Sequence, residues 1–377
     1  MTRHENTVVG PTRVAVIYGG RSTEAEISLQ SAASVIAHLD RTRYDIVPIY
    51  IDERGAFHRQ ALPALSAQQP ASMAADAGTD SLSLAIRPGQ LFQPGAEGAG
   101  AQAIDVVLPI MHGPLCEDGS IQGLLELADV AYVGSRVLGS ALCMDKDLAK
   151  RLVQAEGIAI VPYVSLRGPE WEVARAELLR RIEADLGYPA FVKPATLGSS
   201  VGVSRASTRD ELISAIDQAL RYDDKVLVER AVAAREIEFA VLAAEDPAAP
   251  PEISVPGEIS AREDFYSFER KYLDAQGADL HVPAQLDAAT LAKGRDAVGR
   301  IFRTLECEGM ARVDFFLDKH SGELYFNEVN TIPGFTAISM YPKLWEASGI
   351  SYGRLLDRLI GDAQRRHARR SKLRRER

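Results

Sequence analysis

Arg312-Val313-Asp314 and Glu328-Val329-Asn330 set two carboxylates, an amide oxygen and a guanidinium on two short segments that lie close in sequence. Side chains alternate across a β-strand, so Arg312 and Asp314 share a face, and so do Glu328 and Asn330. Residues 309–317 and 323–330 read as strands, and Asp318-Lys319-His320-Ser321-Gly322 between them is turn chemistry, which predicts an antiparallel hairpin. If the two polar faces coincide, the oxygens converge into a hard-ligand site suited to Mg2+ carrying phosphate. The arginine then stands beside it to meet developing negative charge. The plainer alternative is an Arg–Asp ion pair on a solvated hairpin.

Lys193 ends a short strand and feeds the loop Pro-Ala-Thr-Leu-Gly198-Ser199-Ser200-Val201-Gly202. Glycines and serines there let backbone N–H groups approach phosphate oxygens, and the lysine adds charge. No Gly-Lys-Ser/Thr follows, so this is not a Walker A loop. Gly198-Ser199-Ser200-Val201-Gly202 also fits the Gly-x-Ser-x-Gly elbow of serine hydrolases, but an elbow needs a helix directly after it, and Val201–Val203 reads as a returning strand. Lys146, at a helix start, is a second cation for a polyphosphate. Glu229 ends one apolar strand, and Glu236 and Glu238 alternate on the next, suiting ribose hydroxyls or equally a solvated edge. His112, Cys116, Glu117 and Asp118 crowd one loop without zinc spacing. A substrate-facing loop after a parallel strand is the more natural reading. Glu24, past Gly19-Gly20, has the same strand-end position, or serves its helix as a capping carboxylate.

These residues need elements to hold them. Strands at 13–18, 44–51 and 105–110, with a helix capped at Ser22 or Thr23 between the first two, predict an α/β domain with a parallel sheet. Residues 62–103 are expected to be a loosely constrained insertion. Helices near 145–156, 170–186 and 210–219 with strands near 191–193 and 225–229 make a small α+β unit. Strands near 237–243 and 252–260, a helix at 287–305, the hairpin, a loop at 331–342 and a helix after Tyr352 complete the chain. The expected units are 1–140, 141–231 and 232–364, followed by a basic tail, 365–377.

With 377 residues, 46% apolar and 25% charged, the chain suits several packed domains. Three scattered cysteines argue against a disulfide framework, and the cytoplasm is the expected location. No apolar run reaches membrane-spanning length. The tail carries eight Lys/Arg and one Glu, a net of +7 against −9 for the whole chain, so residues 1–364 sum to −16. A body that acidic disfavours nucleic acid, and the tail is expected to be a solvated helix end, dispensable for turnover.

Taken in order, these segments resemble the D-alanine–D-alanine ligases of the ATP-grasp superfamily. The resemblance runs from about residue 12 to 362. It rests on Gly19-Gly20 through Ser28, His112-Gly113 with Glu117-Asp118-Gly119, Met144-Asp-Lys146, Lys193-Pro through Gly202, Arg235-Glu236-Ile-Glu238, Lys271-Tyr272, and Arg312-Val-Asp314 with Asn327 through Gly334. It implies a parallel-sheet domain followed by a two-domain ATP-grasp module that joins two D-alanines through an acyl phosphate. ATP would be a substrate and two Mg2+ ions, or Mn2+, would be held by Asp314, Glu328 and Asn330. Lys146 and Lys193 would meet the phosphates, Glu236 the ribose, and the strand around Glu229–Val232 the adenine edge. Arg312 and the Gly334 N–H would stabilise the oxyanion. Glu24, with His112, would bind the first ammonium, and Lys271 and Ser339 the second carboxylate. A lid over 257–284 would carry Tyr272, latched through Ser199 to Glu24, and its Lys-Tyr pair favours a dipeptide over a D-lactate product. The family also suggests a homodimer. Cys116 stands where glycine is usual, so a positive φ there would force the loop to shift.

Overall fold

The computed structural model of the protein describes residues 10–62, 81–87, 90–94, 103–261 and 278–374. The apolar run β1 (Thr12–Gly19) is followed by α1 (Ala25–His38) and β2 (Tyr44–Ile51), then β3 (Phe57–Arg59), β4 (Ser81–Arg87), β5 (Gln90–Pro94), β6 (Val106–Ile110), α2 (Ser120–Leu127) and β7 (Ala131–Tyr132). These strands form one sheet in the order β5-β4-β3-β2-β1-β6-β7. Its β2-β1-β6-β7 part is parallel, as expected. The expected loose insertion instead supplies β4 and β5, which extend β3 antiparallel at the sheet edge. The α1 N-cap is Glu24 with no side-chain capping bond; the Ser22 hydroxyl instead accepts the Glu24 N–H.

α3 (Val137–Met144) spans the boundary expected at residue 140. α4 (Lys146–Ala155) starts at Asp145, whose carboxylate accepts the N–H groups of Asp147 and Leu148. β8 (Tyr163–Arg167), α5 (Gly168–Asp185), β9 (Ala190–Pro194), β10 (Ser204–Ala206), α6 (Arg209–Ala219) and β11 (Lys225–Arg230) follow. They build an antiparallel sheet ordered β10-β9-β11-β8, with α5 and α6 packed on one face through Trp171, Ile182, Leu212 and Ile216. The expected return strand at 201–203 starts three residues later, because Ser199 and Ser200 both take left-handed φ (51° and 60°) before Gly202. A strand, not a helix, follows Gly198–Gly202, which removes the hydrolase elbow.

β12 (Ala234–Leu242), β13 (Glu252–Ala261), β14 (Ala278–His281), α7 (Ala288–Thr304), β15 (Met310–Asp318), β16 (Leu324–Asn330), α8 (Met340–Ala347) and α9 (Tyr352–Arg370) complete the described chain. The third sheet runs β14-β13-β12-β15-β16, antiparallel throughout. Ile237, Phe239, Val313 and Phe315 face a core shared with α7 and α4. A second core joins this sheet to the first through α8 and α9. Cys143 and Cys307 meet in the α7 core as free thiols with sulfurs 3.4 Å apart, a pairing that their separation in sequence hid.

The tail expectation needs correction. α9 stays helical to Arg370 and is anchored to the first domain. Arg366 is buried, donating to Asp362 (2.7 Å), Glu308 (3.0 Å) and the carbonyls of Tyr132 (3.2 Å) and Gly134 (3.0 Å). Arg370 forms a two-pronged pair with Glu126, both bonds 2.6 Å. A run of like charge reads as a solvated end only until its acidic partners are known.

Candidate active site

The hairpin forms as expected. Asp318 accepts the N–H groups of His320 and Ser321, both at 2.7 Å, and Gly322 closes the turn at φ +70°. Arg312 lies directly opposite Asn330, and Asp314 opposite Glu328. The polar faces therefore coincide. On the other flank Glu238 pairs with Asp314, so three carboxylates, Glu238, Asp314 and Glu328, form a row across three strands. A bulge makes this possible. Asp314 pairs with Glu328 while Phe315 pairs with Phe326, leaving Asn327 as the extra residue. It turns Phe326 into the core although Glu328, two residues on, faces the cleft.

The ion pair posed as the alternative to a metal site also exists. Arg312 binds both Asp314 oxygens, at 2.8 and 2.6 Å, and Glu238 at 3.0 Å. Asn330 donates its amide N–H to Asp314 at 2.9 Å. Lys146 Nζ lies 3.3 Å from Glu328 and donates to the Leu197 carbonyl at 2.7 Å. Cations of the chain thus rest against these oxygens. Two carboxylates and an amide are hard donors that fit Mg2+ or Mn2+. Among the described residues no cluster of three His, Cys, Asp or Glu offers a metal site, so such an ion would need Asn330 and oxygens of its own cargo as well.

Between the second and third sheets opens a cleft of about 750 Å³. Lys146, Lys193, Val232 and Glu236 line it, together with Asp314, Glu328 and the Ser199 loop. Glu229 also reaches this cleft, but it is no solvated edge charge. It is 3% exposed, with Lys193 at 2.6 Å from one oxygen and Lys150 at 3.1 Å from the other. Burial alone would raise its carboxyl, yet the two lysines hold it below the ordinary value.

A second cluster joins the domains. Ser199 donates to Glu24, bringing the phosphate-type loop onto the N-terminal domain. Gly113 makes room for this carboxylate: at φ +79°, an added Cβ would lie 2.6 Å from both Glu24 Oε2 and Ser22 Oγ. His112 is buried and its Nδ1–H donates to the Ile332 carbonyl at 3.0 Å. Its Nε2 therefore accepts, from Ser31 Oγ at 3.3 Å, and Ser31 in turn accepts the Phe335 N–H. Burial pushes the imidazole down to about 4, so it is neutral. Gly334 abuts Ser339, where an added Cβ would meet Oγ at 2.8 Å. The Ser339 hydroxyl accepts the Thr336 N–H at 3.0 Å. Cys116 is buried without positive φ; Leu115 takes that conformation instead (68°), so cysteine forces no shift.

Lys271 and Tyr272 lie outside the described residues, as does the centre of the expected lid; its ends, 257–261 and 278–281, are parts of β13 and β14. Lys150 and Asn327 receive no role from sequence reasoning, and Glu117 is read there only as part of its loop. Lys150 follows Lys146 by one helical turn, a spacing that could have revealed it. Asn327, 3.3 Å from Lys193, owes its position to the bulge, which alternation hides. Glu117 accepts the N–H groups of Gly113 (2.8 Å) and Ile332 (3.2 Å), while burial and then Glu24 push its carboxyl up to about 8.

Comparison with known proteins identifies the family. Residues 13–135 match the family model for the D-ala D-ala ligase N-terminus, and residues 152–361 that for the D-ala D-ala ligase C-terminus. The chain is 50% identical over 368 residues to D-alanine--D-alanine ligase A of Bradyrhizobium diazoefficiens, covering 96% of this chain and 98% of that one. Among solved structures, the D-alanine-D-alanine ligase from Coxiella burnetii superposes with a TM-score of 0.83 at 36% identity, covering 96% and 97% of the two chains. The VanG D-Ala:D-Ser ligase from Enterococcus faecalis gives 0.81 at 34%, covering 94% and 99%. A Bacillus anthracis D-alanine--D-alanine ligase complexed with ATP gives 0.69 at 27%, covering 95% and 99%. With both halves of the family matched and the fold shared end to end, the chain belongs to the D-alanine–D-alanine ligase family.

Proposed function

We propose that this protein joins two D-alanines into D-alanyl-D-alanine for peptidoglycan precursors, converting ATP to ADP and phosphate. The observation that carries the reading is the direct opposition of Asp314 and Glu328 in a cleft that also holds Lys146 and Lys193. The carboxylate of the first D-alanine attacks the γ-phosphate and expels ADP. The amine of the second attacks the resulting acyl phosphate, loses a proton, and expels phosphate.

Each group takes one task. Lys146 and Lys193 turn from Glu328 and Glu229 to the ATP phosphates, Glu236 takes the ribose, and Glu229 with Val232 takes the adenine edge. Asp314, Glu328 and Asn330 would hold Mg2+, which when bound would neutralise charge on the phosphates. Glu24, with neutral His112 beside it, accepts the first ammonium. Arg312 and the Gly334 N–H face the oxyanion. Ser339 and Lys271 hold the second carboxylate, and Tyr272 latches a lid through Ser199 to exclude water from the acyl phosphate. The three sheets are the centres of three units, with the basic segment 365–370 part of the last. We take the enzyme to be a cytoplasmic homodimer; among the described residues no helix is long and apolar enough to cross a membrane.

ADP release with D-alanine alone, with mass detection of the dipeptide, tests this. The likeness to a D-Ala:D-Ser ligase makes D-serine the acceptor to run beside it, with D-lactate as a third. Strict dependence on either would overturn the choice of acceptor.

A further inference from the structure

Lys150 belongs to none of the roles above, yet it has 0% exposure. It rises from α4 behind Glu229, with Nζ 3.1 Å from Glu229 Oε1, 3.4 Å from the Phe326 carbonyl and 5.9 Å from the Phe326 ring centroid. The contact with Oε1 is one of charge rather than an aligned hydrogen bond. Lys193 holds the other Glu229 oxygen from the cleft side and also reaches Asn327 at 3.3 Å. One buried carboxylate is thus shared by two ammonium groups, one sealed in and one facing the cleft.

This arrangement carries one positive charge in excess. Burial, with the neighbouring Lys193, pulls the Lys150 ammonium down to about 8 against the attraction of Glu229. An anion in the cleft would relieve that excess by drawing Lys193 toward it. With a single lysine the same movement would strand a buried carboxylate without a cation. With two, Glu229 stays paired. Resting on the reading of Lys193 as a phosphate contact, we propose that Lys150 is a positioning residue, the standing counter-ion of Glu229 that lets Lys193 pass between this carboxylate and a nucleotide phosphate.

The test compares ADP and adenosine binding by calorimetry in the full-length protein and its variants. Lys150→Met should weaken ADP about tenfold or more while leaving adenosine nearly unchanged, because only ADP needs Lys193 to move. In a Glu229→Gln background, where no charge is stranded, the same Lys150→Met change should cost no more than about threefold. Lys150→Gln keeps a donor without the charge and should behave as Lys150→Met does. Equal losses in both backgrounds, or equal losses for ADP and adenosine, would mean packing and overturn the proposal. So would failure of both single variants to fold while the double variant folds, since Lys150 would then act on folding alone. Lys193→Met separates the two ideas. If it leaves ADP affinity intact, the phosphate reading itself fails. If it weakens ADP while Lys150→Met does not, only the role of Lys150 fails.

Discussion

Arg366→Met is the sharpest test of how the C-terminal helix is held. The side chain is 8% exposed and fills a socket between α9 and the first domain. Its loss removes donors from Asp362, Glu308 and the carbonyls of Tyr132 and Gly134. Asp362 is itself buried, and Glu308 keeps Arg136 at 3.0 Å as an alternative cation. The uncompensated remainder is one carboxylate and two carbonyls, which puts the cost at about 3–5 kcal/mol, the range for breaking a buried pair by removing one partner. Methionine retains much of the volume, so little of this is a cavity term. Urea unfolding followed by far-ultraviolet circular dichroism reads the loss, with deletion of 371–377 as the control. That deletion cuts beyond the last arginine seen anchored among the described residues and should change stability by less than about 0.5 kcal/mol. If Arg366→Met also costs under about 1 kcal/mol, the pairing contributes as little as an exposed one and the docked-helix account is wrong.

His112 predicts a pH signature. Its imidazole takes a proton near 6.5 when unfolded but near 4 when buried, so above pH 6.5 both states are neutral and the full stability is present. As pH falls from 6.5 to 4 only the unfolded chain gains the proton, and about 3 kcal/mol is progressively lost. His112→Gln should flatten this slope in urea unfolding between pH 7 and 4; an unchanged slope would assign it to other groups. Gly113→Ala drives a methyl group into Glu24. It should raise KM for D-alanine roughly tenfold and cost about 1–3 kcal/mol of stability from the left-handed φ, so steady-state kinetics matching the unaltered enzyme would remove Glu24 from the substrate site.

The hairpin was legible because alternation alone puts Arg312 with Asp314 and Glu328 with Asn330, and the turn at Asp318–Gly322 sets their pairing. The parallel strands around Gly19 and His112 were legible as uninterrupted apolar runs. Other features were not, for physical reasons. β8 is a short edge strand whose partner, β11, lies far along the chain. α3 and α8 begin at Val137 and Met340 without a side-chain capping bond to mark them. The burial of Glu229 depends on Lys150, which arrives from another domain element, and a carboxylate at a strand end reads as solvated until that partner is known. The resemblance supplied roles for single residues, but neither it nor the residues disclosed that Lys146 and Lys193 rest on the chain's own carboxylates; only the Arg312–Asp314 pair was posed in advance.

In the proposed reaction the carboxylate of one D-alanine is phosphorylated before the dipeptide bond forms. Turnover with carboxyl-18O-labelled D-alanine and ATP, with mass analysis of the released phosphate, tests it directly. The oxygen that attacks the γ-phosphate leaves with it, so the prediction is one labelled oxygen in each phosphate formed with the dipeptide. Unlabelled phosphate, or AMP and pyrophosphate in place of ADP, would contradict it.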